Sequence, residues 1–83
     1  APLRSFAEAA RRILAPRGSV FLVYTAGDLA NLVAELRAAH LEPKLIRFVH
    51  SKRSNPARIV LVKAQVAKPG GLVIASPLFE DTP

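Results

Sequence analysis

Lys44-Leu45-Ile46-Arg47-Phe48-Val49-His50-Ser51-Lys52-Arg53-Ser54-Asn55-Pro56-Ala57-Arg58-Ile59-Val60-Leu61-Val62-Lys63-Ala64-Gln65-Val66 is the stretch that decides the fold. It reads as a strand over Lys44 to His50, a polar turn over Ser51 to Pro56, and a strand over Ala57 to Val66. β-Branched and aromatic residues fill both arms, and the link is short and polar, so the two arms predict an antiparallel hairpin. The second arm is apolar on both faces at Ile59, Val60, Leu61 and Val62. A strand with no polar face belongs inside a sheet rather than at its edge. Another strand must therefore lie on its far side.

Upstream of the hairpin, Leu29, Leu32, Val33, Leu36 and Leu41 recur at helical spacing. They predict a helix opened by Gly27 and Asp28, with Asp28 as N-cap and Pro43 as the stop. Before it, Val20-Phe21-Leu22-Val23-Tyr24 within Ser19 to Thr25 is a nearly continuous apolar run between turn residues. That pattern predicts a strand buried on both faces. Farther back, Ser5 to Ala15 reads as a helix. Ser5 and Glu8 have capping-box spacing, and Phe6, Ala9, Ala10, Ile13 and Leu14 form its apolar stripe. Pro16 and Gly18 end it. Downstream, Pro69-Gly70-Gly71 is a turn, and Leu72 to Ile74 predicts a short fourth strand. The element order is helix, strand, helix, strand, strand. A right-handed crossover makes the first two strands parallel. The third then lies between them and antiparallel to both, and both helices cover one face of the sheet.

Length and composition set bounds. A chain of 83 residues with 51% hydrophobic and 22% charged residues makes one domain at most, with a thin core. It holds no cysteine, which excludes a disulfide scaffold and a thiolate metal site. No apolar run approaches the roughly 20 residues of a membrane span, and no signal peptide is visible. The sequence has no Met and begins Ala1-Pro2 in what reads as the lead-in to a helix. The expectation is a piece of a longer protein, a single partial domain over 1–83.

The net charge of +6 is unevenly placed. Basic and acidic residues nearly balance before Lys44. Lys44, Arg47, Lys52, Arg53, Arg58, Lys63 and Lys68 then follow with no acid among them, and the tail turns acidic at Glu80 and Asp81. One reading is a solvated basic surface. The other is a phosphate-tracking surface for nucleic acid.

The order of elements resembles the C-terminal half of a class I S-adenosylmethionine-dependent methyltransferase. That fold is a Rossmann-like sheet closed by an antiparallel hairpin, with the penultimate strand at the edge. Phe6 to Val23 looks like the family's helix, Pro-Gly turn and fifth strand. Here the turn reads Ala15-Pro16-Arg17-Gly18 where the family usually has Lys-Pro-Gly-Gly. Leu41 to Lys52, Pro56 to Lys63 and Ser76-Pro77-Leu78 are similar to the tRNA1(Val) adenine-N6 methyltransferase group. The resemblance covers nearly all of the chain. It implies an α/β fold and a cytoplasmic parent enzyme that uses S-adenosylmethionine and acts on tRNA. The family's glycine-rich loop, its acidic ribose-binding residue and its Asn-Pro-Pro-Tyr motif have no counterpart in these residues. Asn55-Pro56-Ala57-Arg58 lacks the second proline and the aromatic. No catalytic or cofactor residue is therefore assigned to this chain, which is expected to bind no cofactor and to be inert alone. The alternative is a self-standing basic α/β module that binds RNA or a protein partner.

Other chemistry finds little support. His40 and His50 are far apart in sequence and lack the convergent ligands of a metal site. His40 is expected to end its helix, where an imidazolium suits the dipole. No serine has a nucleophile-elbow context, and Glu80-Asp81 reads as a solvated tail. What remains is a rim. Ligands of open α/β sheets bind beyond the carboxyl ends of the parallel strands. His50 ends one such strand, and Lys52, Arg53 and Arg58 follow it. These four residues are the RNA-binding candidates, and they would position phosphates rather than read bases. Phe48 alone offers little stacking surface. Finally, the edge of the first strand, residues 20–24, carries no Lys or Pro, and the sheet face opposite the helices is bare. Self-association through one or both is expected.

Overall fold

The computed structural model describes residues 2–80. Two helices and five strands follow in the order α1 (Pro2–Ile13), β1 (Ser19–Thr25), α2 (Leu29–Ala38), β2 (Glu42–His50), β3 (Ala57–Gln65), β4 (Val73–Ile74) and β5 (Leu78–Phe79). The sheet order is β1-β3-β2-β4, with β5 also on β2. β3 runs antiparallel to both β1 and β2, so Val60 faces Tyr24 on one side and Phe48 on the other. The expected α/β architecture and the central place of the third strand are both present.

Both helices cover one face. Ala7 and Ala10 of α1 and Leu32 and Leu36 of α2 close over Ile46, Val60, Val62 and Ala64 of the sheet. Leu41 completes this core from the α2–β2 link. Alanines on α1 let its backbone approach α2 closely. Arg4 ties the helices at their surface by donating to Glu35 at 3.1 and 3.4 Å.

Several local expectations are corrected. α1 starts at Pro2, so Ser5 lies inside the helix and forms no capping box with Glu8. Proline suits a first helical turn because its fixed φ is already helical and its missing N–H costs no bond. The earlier start brings in Leu3, and the inward stripe is Leu3, Ala7, Ala10 and Leu14. Phe6 and Ile13 fall outside that stripe and are exposed, Ile13 at 84%.

A 3-10 turn at Ala26–Asp28 precedes α2, and Asp28 makes no side-chain capping bond. Nor does Pro43 stop α2, since it is already part of β2. The stop is His40, whose φ of 63° is left-handed. His40 N–H donates to Arg37 O at 3.0 Å and Leu41 N–H to Leu36 O at 2.8 Å. These two bonds define a Schellman ending.

β1 is not buried on both faces. Its side chains alternate, and Phe21 (75%) and Val23 (68%) are exposed on the face without helices. β2 is not at the edge either. β4 and β5 both add to it in parallel, extended by Ala75 N–H to Ile46 O and Glu80 N–H to His50 O, each at 2.8 Å. β5 has only two residues, too few to show any periodicity in sequence. No helix among the described residues is long and apolar enough to cross a membrane.

Candidate nucleic-acid interface

β1 and β2 run the same way, so their carboxyl ends, Thr25 and His50, lie on one rim of the sheet. The 51–56 turn, the start of β3 and the end of β5 gather around His50. Its Nδ1–H donates to the Asn55 carbonyl at 2.8 Å, which fixes the tautomer. Asn55 in turn holds the loop, with its Nδ2 donating to Ser51 Oγ at 3.0 Å and its N–H to Lys52 O at 3.1 Å. The His50 ring lies 5.3 Å from the Phe79 ring, tilted by 39°. The Arg53 guanidinium sits 4.5 Å over the same phenyl ring. Such a stack orients the guanidinium and leaves its N–H fork for two oxygens of an anion.

Arg58 is paired with Glu80. The acid expected to float in the tail is thus folded back on the rim, where it neutralises one candidate cation. Asp81, the other member of that pair, lies outside the described residues, as does Ala1. Lys52 is exposed in the turn. The four sequence candidates therefore share one rim with different partners: His50 and Arg53 on Phe79, Arg58 on Glu80, and Lys52 in solvent.

The remaining basic residues are not part of this cluster. Arg47 and Lys63 lie mid-sheet, and Arg47 donates to Ser76 O at 2.6 Å. Lys44 is at the opposite end of β2, where its ammonium donates to Lys68 O at 2.6 Å and Gly70 O at 2.5 Å. The one-signed run in sequence is spread along the hairpin in space. At that far end, Glu42 is a nearly buried carboxylate that accepts Gly70 N–H at 3.0 Å and Arg37 Nε–H at 3.2 Å. The bond from Gly70, outweighing the effect of burial and aided by Arg37, holds its pKa below the ordinary carboxylate range.

Phe79, Glu80 and Asn55 are the rim residues that sequence reasoning missed. Phe79 and Glu80 follow Pro77 in a short irregular segment with no pattern to place them. Among the described residues, no group of three or more His, Cys, Asp or Glu converges to hold a metal.

No family model matches the sequence, and no curated protein matches it. Among solved structures, the chain is similar to a predicted O-methyltransferase from Agrobacterium tumefaciens, with a TM-score of 0.81 at 19% identity. The likeness covers 93% of this chain and 36% of that one. The chain therefore has a methyltransferase-like fold, and it spans about a third of the length of that structure.

A methyltransferase fold implies S-adenosylmethionine in the parent family, but among the described residues neither the Gly70-Gly71 turn nor the hollow between α1 and β1 fits it. Gly70 and Gly71 do have the left-handed φ values of a phosphate-cradling loop, 96° and 74°. They lead into a two-residue strand rather than a helix. Gly70 N–H is taken by Glu42, and its carbonyl by Lys44. The open apolar hollow between α1 and β1 is lined by Pro2, Leu3, Phe6, Leu22 and Tyr24, with no charged group to orient an amino acid or a ribose.

Proposed function

We propose that this chain is the C-terminal sheet segment of an S-adenosylmethionine-dependent methyltransferase that modifies adenine N6 of tRNA. In this reading its rim holds the RNA while the reactive groups lie in other parts of such a protein. The observation that carries it is the pair Arg53 and Lys52 beyond the carboxyl ends of β1 and β2, with Arg53 stacked on Phe79. The likeness in fold supports the methyltransferase part. The rim cations support the RNA part, because stacked guanidinium and exposed ammonium groups take phosphate oxygens without regard to sequence. Arg58 contributes less, since Glu80 already compensates it.

The test is fluorescence anisotropy with a labelled tRNA transcript at several salt concentrations. Each lost phosphate contact flattens the plot of log affinity against log salt by about 0.7 to 0.9. K52A/R53A is expected to flatten that slope by about 1.4 to 1.8 and to weaken binding to all tRNAs alike. An unchanged slope, or wild-type protein with no tRNA affinity at low salt, contradicts the role of this rim.

A further inference from the structure

We propose that Glu80 is a built-in stand-in for an RNA phosphate: its carboxylate occupies the Arg58 guanidinium and keeps that cation out of the rim's contact with RNA. The proposal rests on reading the rim as an RNA surface, and it adds the contact that limits binding there.

The pair is assembled by the fold rather than by sequence neighbourhood. β3 and β5 lie on opposite sides of β2, where His50 pairs with Ala57 of one and Phe79 of the other. Arg58 and Glu80 each follow those partners by one residue. Their ion pair therefore spans the carboxyl end of β2. Neighbouring strands lie about 4.8 Å apart, so the two backbones it joins are about 10 Å apart, a gap that only long side chains bridge. Ligands of open α/β sheets approach this end of the parallel strands.

Arg58 also differs from the other cations of the hairpin. Of the basic residues from Lys44 to Lys68, it is the one in an ion pair among the described residues. Lys44 and Arg47 donate to backbone carbonyls, and Arg53 stacks on Phe79. A carboxylate and a phosphate both offer two oxygens to a guanidinium fork, so Glu80 and an RNA phosphate compete for the same N–H groups.

The fold does not depend on this pair. The two side chains are 56% and 42% exposed, and an ion pair so exposed adds little to stability. β5 is held without it, because Glu80 N–H donates to His50 O at 2.8 Å and Leu78 and Phe79 pair with Val49 and His50. The carboxylate can leave Arg58 while its backbone stays in place. Tethered beside Arg58, it competes at a high effective concentration that does not fall when the protein is diluted.

The tRNA anisotropy titration over several salt concentrations tests this with E80Q, which keeps the shape of the side chain and releases Arg58. One added phosphate contact is expected to steepen the slope of log affinity against log salt by about 0.7 to 0.9. If the affinities converge at about 1 M salt, E80Q binds about 5–8-fold tighter than wild type at about 0.1 M. E8Q, which adds the same unit of charge on α1, is expected to leave the slope unchanged. R58A/E80Q is expected to return it to the wild-type value. Circular dichroism checks that each variant is folded, and E80A decides if E80Q is not. A wild-type slope in E80Q overturns the proposal, as does a steeper slope that E8Q also produces or that survives in R58A/E80Q. If K52A/R53A flattens the slope and E80Q fails to steepen it, the stand-in falls and the RNA rim stands; no tRNA binding by any variant removes both.

Discussion

His40 gives the sharpest local test, because its left-handed φ of 63° is what ends α2. An L-residue in that conformation costs about 1–2 kcal/mol relative to the right-handed one. Histidine is among the side chains that tolerate it better than most, and glycine does not pay it at all. In H40G the relief is offset by glycine's larger unfolded-state entropy, about 0.5–1 kcal/mol, leaving a net gain of a few tenths. In H40V the β-branched side chain meets the full penalty, so after glycine's entropy is set against it the two variants should differ by about 0.5–1 kcal/mol. For 83 residues the unfolding entropy is about 0.17 kcal/mol/K, which converts that gap to about 3–6 °C in Tm. Thermal unfolding followed by circular dichroism measures it. H40V melting within about 2 °C of H40G would mean that no left-handed stop exists and that α2 runs on toward Pro43.

Three further outcomes follow from the packing. L36A removes a fully buried side chain at the helix–sheet contact and should cost about 2–5 kcal/mol, read by urea unfolding. That is a large share of the roughly 4–12 kcal/mol expected of a domain this size, and a loss below 1 kcal/mol would contradict the core assignment. Glu42 has a lowered folded-state pKa, so its contribution is full above the ordinary carboxylate value of about 4.3 and is lost as pH falls through the folded value. E42Q should be less stable than wild type at pH 6, and the difference should shrink toward pH 3; a constant difference would refute the bond to Gly70. G18A should destabilise by about 1–3 kcal/mol, because a Cβ there would lie 2.8 Å from the Ala15 carbonyl oxygen, and a neutral result would place the 15–18 turn differently.

The order β1-β3-β2 was legible because Ile59 to Val62 carries no polar position, which demands neighbours on both sides. The crossover rule and the short polar link then fixed the directions of the other two strands. The α1 boundary was misread because Ser5 and Glu8 have capping-box spacing. Pro2 had already set the first turn, and Leu3 two residues earlier is what aligns the true inward stripe. His40 was legible as a helix end, but the stop was credited to Pro43, because a left-handed φ at a non-glycine residue leaves no mark in sequence. On the rim, the position of His50 and the nearby cations followed from strand direction. The stack on Phe79 and the pairing of Arg58 with Glu80 did not, since both depend on a short irregular segment folding back along β2.

The proposed role rests on β1 and β2 running the same way, each antiparallel to the β3 strand between them, which brings their carboxyl ends to one rim. Cross-strand nuclear Overhauser effects from Val60 measure this directly. They are expected to reach both Tyr24 and Phe48, its partners on either side. Contacts running directly from β1 to β2, with none between Val60 and Tyr24, would contradict it.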